Sequence, residues 1–177
     1  MAPGNGLTHS GTDCLSGSRR EDALTREIRQ TRDFPDTGFS LSSAGCNSRP
    51  MEFDVLPVTR FEMNCSILWC EQTNRAAVID PGGDLSEILN FLELMELEPE
   101  VALVTHGHFD HAGGAAQFAA MTGARIEGPH RDDAHVVARL EEMGEKYGVP
   151  AKSYTPARWL EHGDRVRFGE EELEVLH

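Results

Sequence analysis

The sequence predicts one mixed α/β (or α+β) domain over residues 51–177, preceded by a low-complexity, disordered extension over residues 1–50. Three observations carry this. A chain of 177 residues allows one ordinary domain. Short β-branched runs alternate with amphipathic stretches from Met51 onward. The first fifty residues hold six Gly, three Pro and seven Ser but few large apolar side chains, so they bury too little surface to offset the entropy of ordering.

The elements follow in order. Residues 55–60, 65–71 and 76–79 read as strands, short and separated by polar turns. Asp80-Pro81-Gly82-Gly83 breaks the chain. Asp84 and Glu87 form a capping-box pattern, and Leu85, Ile88, Leu89 and Leu92 keep the spacing of one buried helix face. Pro99 is expected to stop that helix. Residues 101–104 form a compact apolar strand, suited to a sheet covered on both faces. A small-residue helix over 112–121 closes at Gly123, and 124–127 is a further strand. A charged helix runs over 132–147 to Gly148 and Pro150. Residues 165–168 and 172–176 are the arms of a hairpin turning at Gly169.

The formal net charge is −14, from 16 Lys and Arg against 30 Asp and Glu. Residues 1–50 balance at six against six, so residues 51–177 carry the whole excess, ten against 24. That sign repels phosphate, so nucleic acid is not expected as a partner. No apolar run approaches the roughly 20 residues of a spanning helix, so no membrane partner is expected either. The start of the chain has no apolar core of a secretory signal, and its acids argue against a transit peptide. Cys14 and Cys46 fall in the extension. Cys65 and Cys70 share a predicted strand at an odd separation, on opposite faces, and read as reduced buried thiols of a cytoplasmic protein. No oligomeric state is read from the sequence.

The chemistry concentrates in T-H-G-H-F-D-H at residues 105–111. His106, His108, Asp110 and His111 follow directly on the apolar strand. On an extended segment, residues two apart project to the same side, which pairs His106 with His108. Asp110 and His111 follow where the chain turns into a helix and can approach a second point. Gly113 and Gly114 let other backbone pass close. Neutral imidazole and carboxylate ligands suit zinc, and also manganese or iron. The bland alternative is a solvated polar loop. Burying these groups without a cation would cost several kcal/mol, which favours a metal. His130, His135, His162 and His177 read as exposed rather than ligating.

These residues also resemble a known family, the metallo-β-lactamase fold hydrolases, and within it the short bacterial glyoxalase II-like group. T-H-G-H-F-D-H matches the family signature. V-I-D-P-G-G at 78–83 matches the loop before it, and W-L-E-H-G-D at 159–164 and L-E-V-L-H at 173–177 match the subgroup. The resemblance covers residues 51–177. It implies an incomplete αββα sandwich, the first half plus the start of the second, with two Zn2+ per complete site (iron or manganese as alternatives). It assigns His106 and His108 to one metal, and Asp110 and His111 to the other. It places Asp80 behind the ligands as their orienting group, against the alternative of a turn-forming Asp before proline. It implies hydrolysis of a small-molecule hydroxyacyl thioester, such as S-lactoylglutathione, by metal-activated hydroxide, with Asp110 as the catalytic carboxylate that holds or deprotonates the nucleophile. In the family, the strand at 173–177 continues to a third histidine ligand, and a bridging aspartate and a final histidine come later. A chain ending at His177 is therefore expected to be a fragment with two ligands per metal. Two alternatives accompany this reading: a persulfide dioxygenase using one iron on the same fold, and an inactive fragment that binds metal weakly.

Overall fold

A computed structural model describes residues 51–177. The extension expected over 1–50, with Cys14 and Cys46, lies outside the described residues. Five strands form one sheet in sequence order: β1 (Glu52–Val58), β2 (Met63–Trp69), β3 (Arg75–Ile79), β4 (Glu98–Leu103) and β5 (Arg125–Glu127). The first two pairings are antiparallel; β3 with β4 and β4 with β5 are parallel. Parallel neighbours need crossovers. Helix α1 (Leu85–Leu94) supplies the first, and α2 (Phe109–Ala112) with α3 (Ala115–Thr122) the second. Helices α4 (Ala134–Val137) and α5 (Leu140–Tyr147) follow, and then a two-stranded antiparallel sheet of β6 (Arg165–Phe168) and β7 (Glu171–Glu174).

The period of two along the central strands builds two cores. Ala76 and Val78 of β3 and Ala102 of β4 enter one cluster, with Ile88, Phe91 and Leu92 of α1 and Phe118 of α3. Ala77, Val101 and Leu103 enter the other, with Leu160 and with Val166 and Phe168 of β6. The five-stranded sheet is therefore sandwiched between helices and hairpin, and its central strands are apolar on both faces. This is the helix layer, first sheet and start of the second sheet of the αββα arrangement.

Three local expectations are corrected. Asp84 does not close a capping box. Its backbone is left-handed (φ 47°) and its carboxylate accepts the Thr59 N–H at 2.7 Å, so its carbonyl receives Glu87 and Ile88 instead. Pro99 does not stop α1. The helix ends at Leu94, where Glu96 turns left-handed (φ 55°) and Leu97 N–H bonds the Leu92 carbonyl at 2.8 Å. Pro99 lies in β4, beside a bulge at Ala76. The charged helix is broken: a 3₁₀ turn (Arg131–Asp133) leads into α4, and Arg139 leaves helical geometry (φ −113°, ψ 14°) before α5. The Ser153 hydroxyl takes the Ala138 carbonyl at that break. Cys65 and Cys70 are buried and free, and burial pushes the Cys65 thiol up to about 12. Among the described residues, no helix is long and apolar enough to cross a membrane.

Charge ties the second sheet to the first. Glu127 is buried (6% exposed) and receives Arg125 at 2.7 Å and Arg158 at 2.6 Å. Arg158 also donates to the Arg165 carbonyl, and Arg125 to that of Arg167, both on β6. The backbone carbonyl of Glu127 accepts Val104 N–H at 3.0 Å.

Phe118 is fully buried against the sheet. Phe118→Ala is expected to lower stability by about 3–5 kcal/mol in urea unfolding followed by circular dichroism. A loss below about 1 kcal/mol would contradict this packing.

Candidate metal centre

Two parallel strands end side by side and deliver the site. Asp80 follows β3, and its N–H bonds the Leu103 carbonyl at 2.8 Å, extending the pairing one step past the strand. Thr105 and His106 follow β4, and His108 starts α2, which carries Asp110 and His111. Carboxyl ends of parallel strands are the usual place for ligand-binding side chains in such sheets.

Glycine sets the approach of the two segments. A Cβ on Gly82 would sit 1.6 Å from the carbonyl oxygen of Asp110, and one on Gly114 would sit 2.3 Å from that of Pro81. Only a backbone without side chains there lets the Asp80–Gly83 loop lie directly against α2.

That contact brings Asp80, His106 and His111 together, with one donor atom of each within 4.8 Å of the others. Asp80 is 5% exposed. Its Oδ1 accepts Thr105 N–H at 2.7 Å, and its Oδ2 accepts the Thr105 hydroxyl at 2.6 Å and faces His111 Nδ1 at 2.9 Å. The network assigns the tautomers. Thr105 has one hydroxyl proton and gives it to the carboxylate. Its oxygen therefore accepts from His106 Nδ1 at 2.9 Å, leaving His106 Nε2 unprotonated. His111 donates through Nδ1, which leaves its Nε2 free as well. Burial lowers the pKa of His106, and the neighbouring His111 and His108 lower it further, so the neutral, ligating form is favoured.

His106 Nε2 faces His108 Nδ1 at 3.1 Å. Two nitrogens held by one tetrahedral zinc at about 2.0–2.1 Å lie roughly 3.3 Å apart, so the pair has the spacing of a shared ion. The donor set thus fits a divalent cation. Asp80 is already engaged through both oxygens, so it is better placed to orient His111 than to ligate. Asp110 is half-buried, and among the described residues no donor bonds its carboxylate.

The other histidines stand apart from this group. His130 is half-buried with its ring 4.1 Å from that of His177, whose N–H reaches His162 Nδ1 at 3.3 Å. His135 donates to the Asp132 carbonyl at 2.8 Å. Sequence reasoning gave Thr105 no role, although the hydroxyl next to the first histidine was a readable signal. It also missed Asp133, which accepts Gly107 N–H at 2.9 Å from 26 residues away. The Tyr154 hydroxyl is buried without a hydrogen-bond partner, and its pKa is pushed up by burial and by Asp80 and Asp133. A cleft of about 670 Å³ lies between the β1–β2 turn and α1 and α3, and none of the metal-capable side chains above lines it.

Residues 58–177 match the family described as the Metallo-beta-lactamase superfamily. The chain is 35% identical over 129 residues to a hydroxyacylglutathione hydrolase of Haemophilus influenzae, covering 72% of this chain and 60% of that protein. It is 30% identical over 127 residues to a hydroxyacylglutathione hydrolase of Aeromonas hydrophila, covering 71% and 42%. Among solved structures it is similar in fold to the BLEG-1 B3 metallo-beta-lactamase, with a TM-score of 0.62 at 24% identity over 71% of this chain and 61% of that one. The chain therefore spans about 60% of the length of the first of these relatives.

Gly82→Ala is expected to cost about 3 kcal/mol or more in urea unfolding, because backbone must move. Gly83→Ala meets side chain rather than backbone, the Thr59 methyl at 2.8 Å, and should cost less than half as much. Equal losses would show that the glycine contact does not set this loop.

Proposed function

This chain belongs to the metallo-beta-lactamase superfamily, and from that premise we propose that it is a metal-dependent hydrolase of small-molecule hydroxyacyl thioesters. The observation that carries the reading is the convergence of His106 Nε2 and His108 Nδ1 at 3.1 Å beside a histidine held by a buried carboxylate. The names of the relatives supply the substrate class.

In this reading His106 and His108 hold one Zn2+, and Asp110 and His111 a second, with iron or manganese as alternatives. When bound, such cations act as Lewis acids and bring the pKa of coordinated water near 7. Asp80 fixes the tautomer of His111 directly and that of His106 through Thr105. Asp110, with no competing hydrogen bond among the described residues, is free to ligate or to take a proton from the nucleophile. A thiolate leaving group needs little protonation, so no further acid is required. The iron-dependent persulfide dioxygenase shares the fold and the motif, and no described residue favours it over hydrolysis.

The purified chain is expected to take up zinc, and His108→Ala to lose at least half of it by elemental analysis. Asp80→Asn should weaken uptake about 10–100-fold. S-lactoylglutathione hydrolysis should stop with a chelator and return with Zn2+. Unchanged metal content in His108→Ala would overturn the ligand assignment; metal uptake with no hydrolysis would overturn the hydrolase reading and leave metal binding alone.

A further inference from the structure

Strand β4 runs between β3 and β5, and the exits of both neighbours send a carboxylate to the backbone of the metal motif. Asp80, one residue after β3, takes the Thr105 N–H at 2.7 Å. Asp133 lies on the 3₁₀ turn that follows β5, and its Oδ2 takes the Gly107 N–H at 2.9 Å. The two bonds fall on either side of His106. The hydrolase reading uses the first and gives the second no role.

Gly107 is the weak point of the motif. It stands between His106 and His108, and without a Cβ it has more backbone freedom to lose than any other residue type. Its N–H belongs to the peptide unit that joins it to His106. Rotation of that unit changes ψ of His106 and φ of Gly107, and with them the separation of the two rings. That separation is 3.1 Å between His106 Nε2 and His108 Nδ1. Gly107 is buried, so its N–H needs a partner, and the Asp133 carboxylate supplies a charge-assisted one.

The support behind Asp133 is fastened by bonds of its own. The Asp133 N–H bonds the His130 carbonyl at 3.0 Å, and His135 Nδ1 donates to the Asp132 carbonyl at 2.8 Å. Helix α4 then packs against the glycine itself. A Cβ on Gly107 would sit 3.0 Å from Cβ of Val136 and 3.3 Å from a Val137 methyl. One short segment therefore meets Gly107 twice, with a carboxylate on its amide and valines against its Cα.

We infer that Asp133 is a positioning residue, which fixes the spacing of His106 and His108 for a shared cation by holding the Gly107 amide. The role rests on the metal-binding part of the hydrolase reading, not on the thioester. Burial, His111 and His108 lower the pKa of His106, whereas Asp80 and Asp133 raise it, so the charge of Asp133 also reaches that ring. Bond and charge are separated by three variants. D133N keeps an acceptor oxygen and removes the charge, D133A removes both, and D133E keeps the charge on an arm one methylene too long.

Zn2+ affinity of the purified chain is measured by competition with a chromophoric chelator. D133A is expected to weaken it about tenfold or more, D133E about fivefold, and D133N about threefold or less. Co2+ in place of zinc reports ligand geometry through its visible absorption. The bands of D133N should match those of the wild type, and those of D133A should shift or fade. In the metal-free proteins, amide hydrogen exchange at Gly107 should be about tenfold faster in D133A than in the wild type or D133N. Urea unfolding of the same samples shows which variants are folded; if D133A is not, D133E decides. Zinc bound by the wild type and held equally well by folded D133A or D133E overturns the positioning role alone. A D133N as weak as D133A overturns it too, since charge would then be the cause. No metal uptake by the wild type overturns the metal reading and the positioning role together.

Discussion

A carboxylate buried as deeply as Asp80 is costly unless several donors reach it. Here three do: a backbone amide, a hydroxyl and an imidazole. Each arrives from the segment after β4, so satisfying Asp80 and shaping the motif are one event. The glycines make it possible, because the loop carrying Asp80 must touch the backbone of α2 for the bonds to close. The proton order then propagates outward, from carboxylate to Thr105 to His106, and from carboxylate to His111. Without that anchor the rings would be free to flip or to exchange tautomers, and no cation would find its donors preset.

The large features of this arrangement were legible in the residues. A short apolar run between polar turns announced β3, the continuous run at 101–104 announced a strand buried on both faces, and the spacing of the histidines pointed to a metal. What was not legible depended on long-range geometry. Asp84 looked like a cap because its local pattern fits one; a turn 25 residues earlier competes for its carboxylate. Pro99 looked like a stop, but α1 ends earlier through a left-handed glutamate that propensity does not foresee. The charged helix looked continuous because Arg139 is a good helix former, and only the fold shows the break. Near the site, Asp133 was invisible for the same reason: its link to Gly107 exists only once the chain has folded back.

The same holds for charge. Read along the sequence, the ten cations of residues 51–177 are scattered among 24 acids and form no patch. Folding sorts them. Six are spent in ion pairs with acids, while Arg60 and Lys146 lie over aromatic rings and Arg131 and Lys152 are in no ion pair among the described residues.

Glu127 gives the fold a mechanical property. Its side chain grips two arginines that hold the backbone of β6, and its main chain grips Val104, the residue before the metal motif begins. One amino acid thus acts as a hinge pin between the hairpin and the strand that aims the histidines. The strand that leads into the histidine motif and the seating of the second sheet thus share one buried carboxylate as their support.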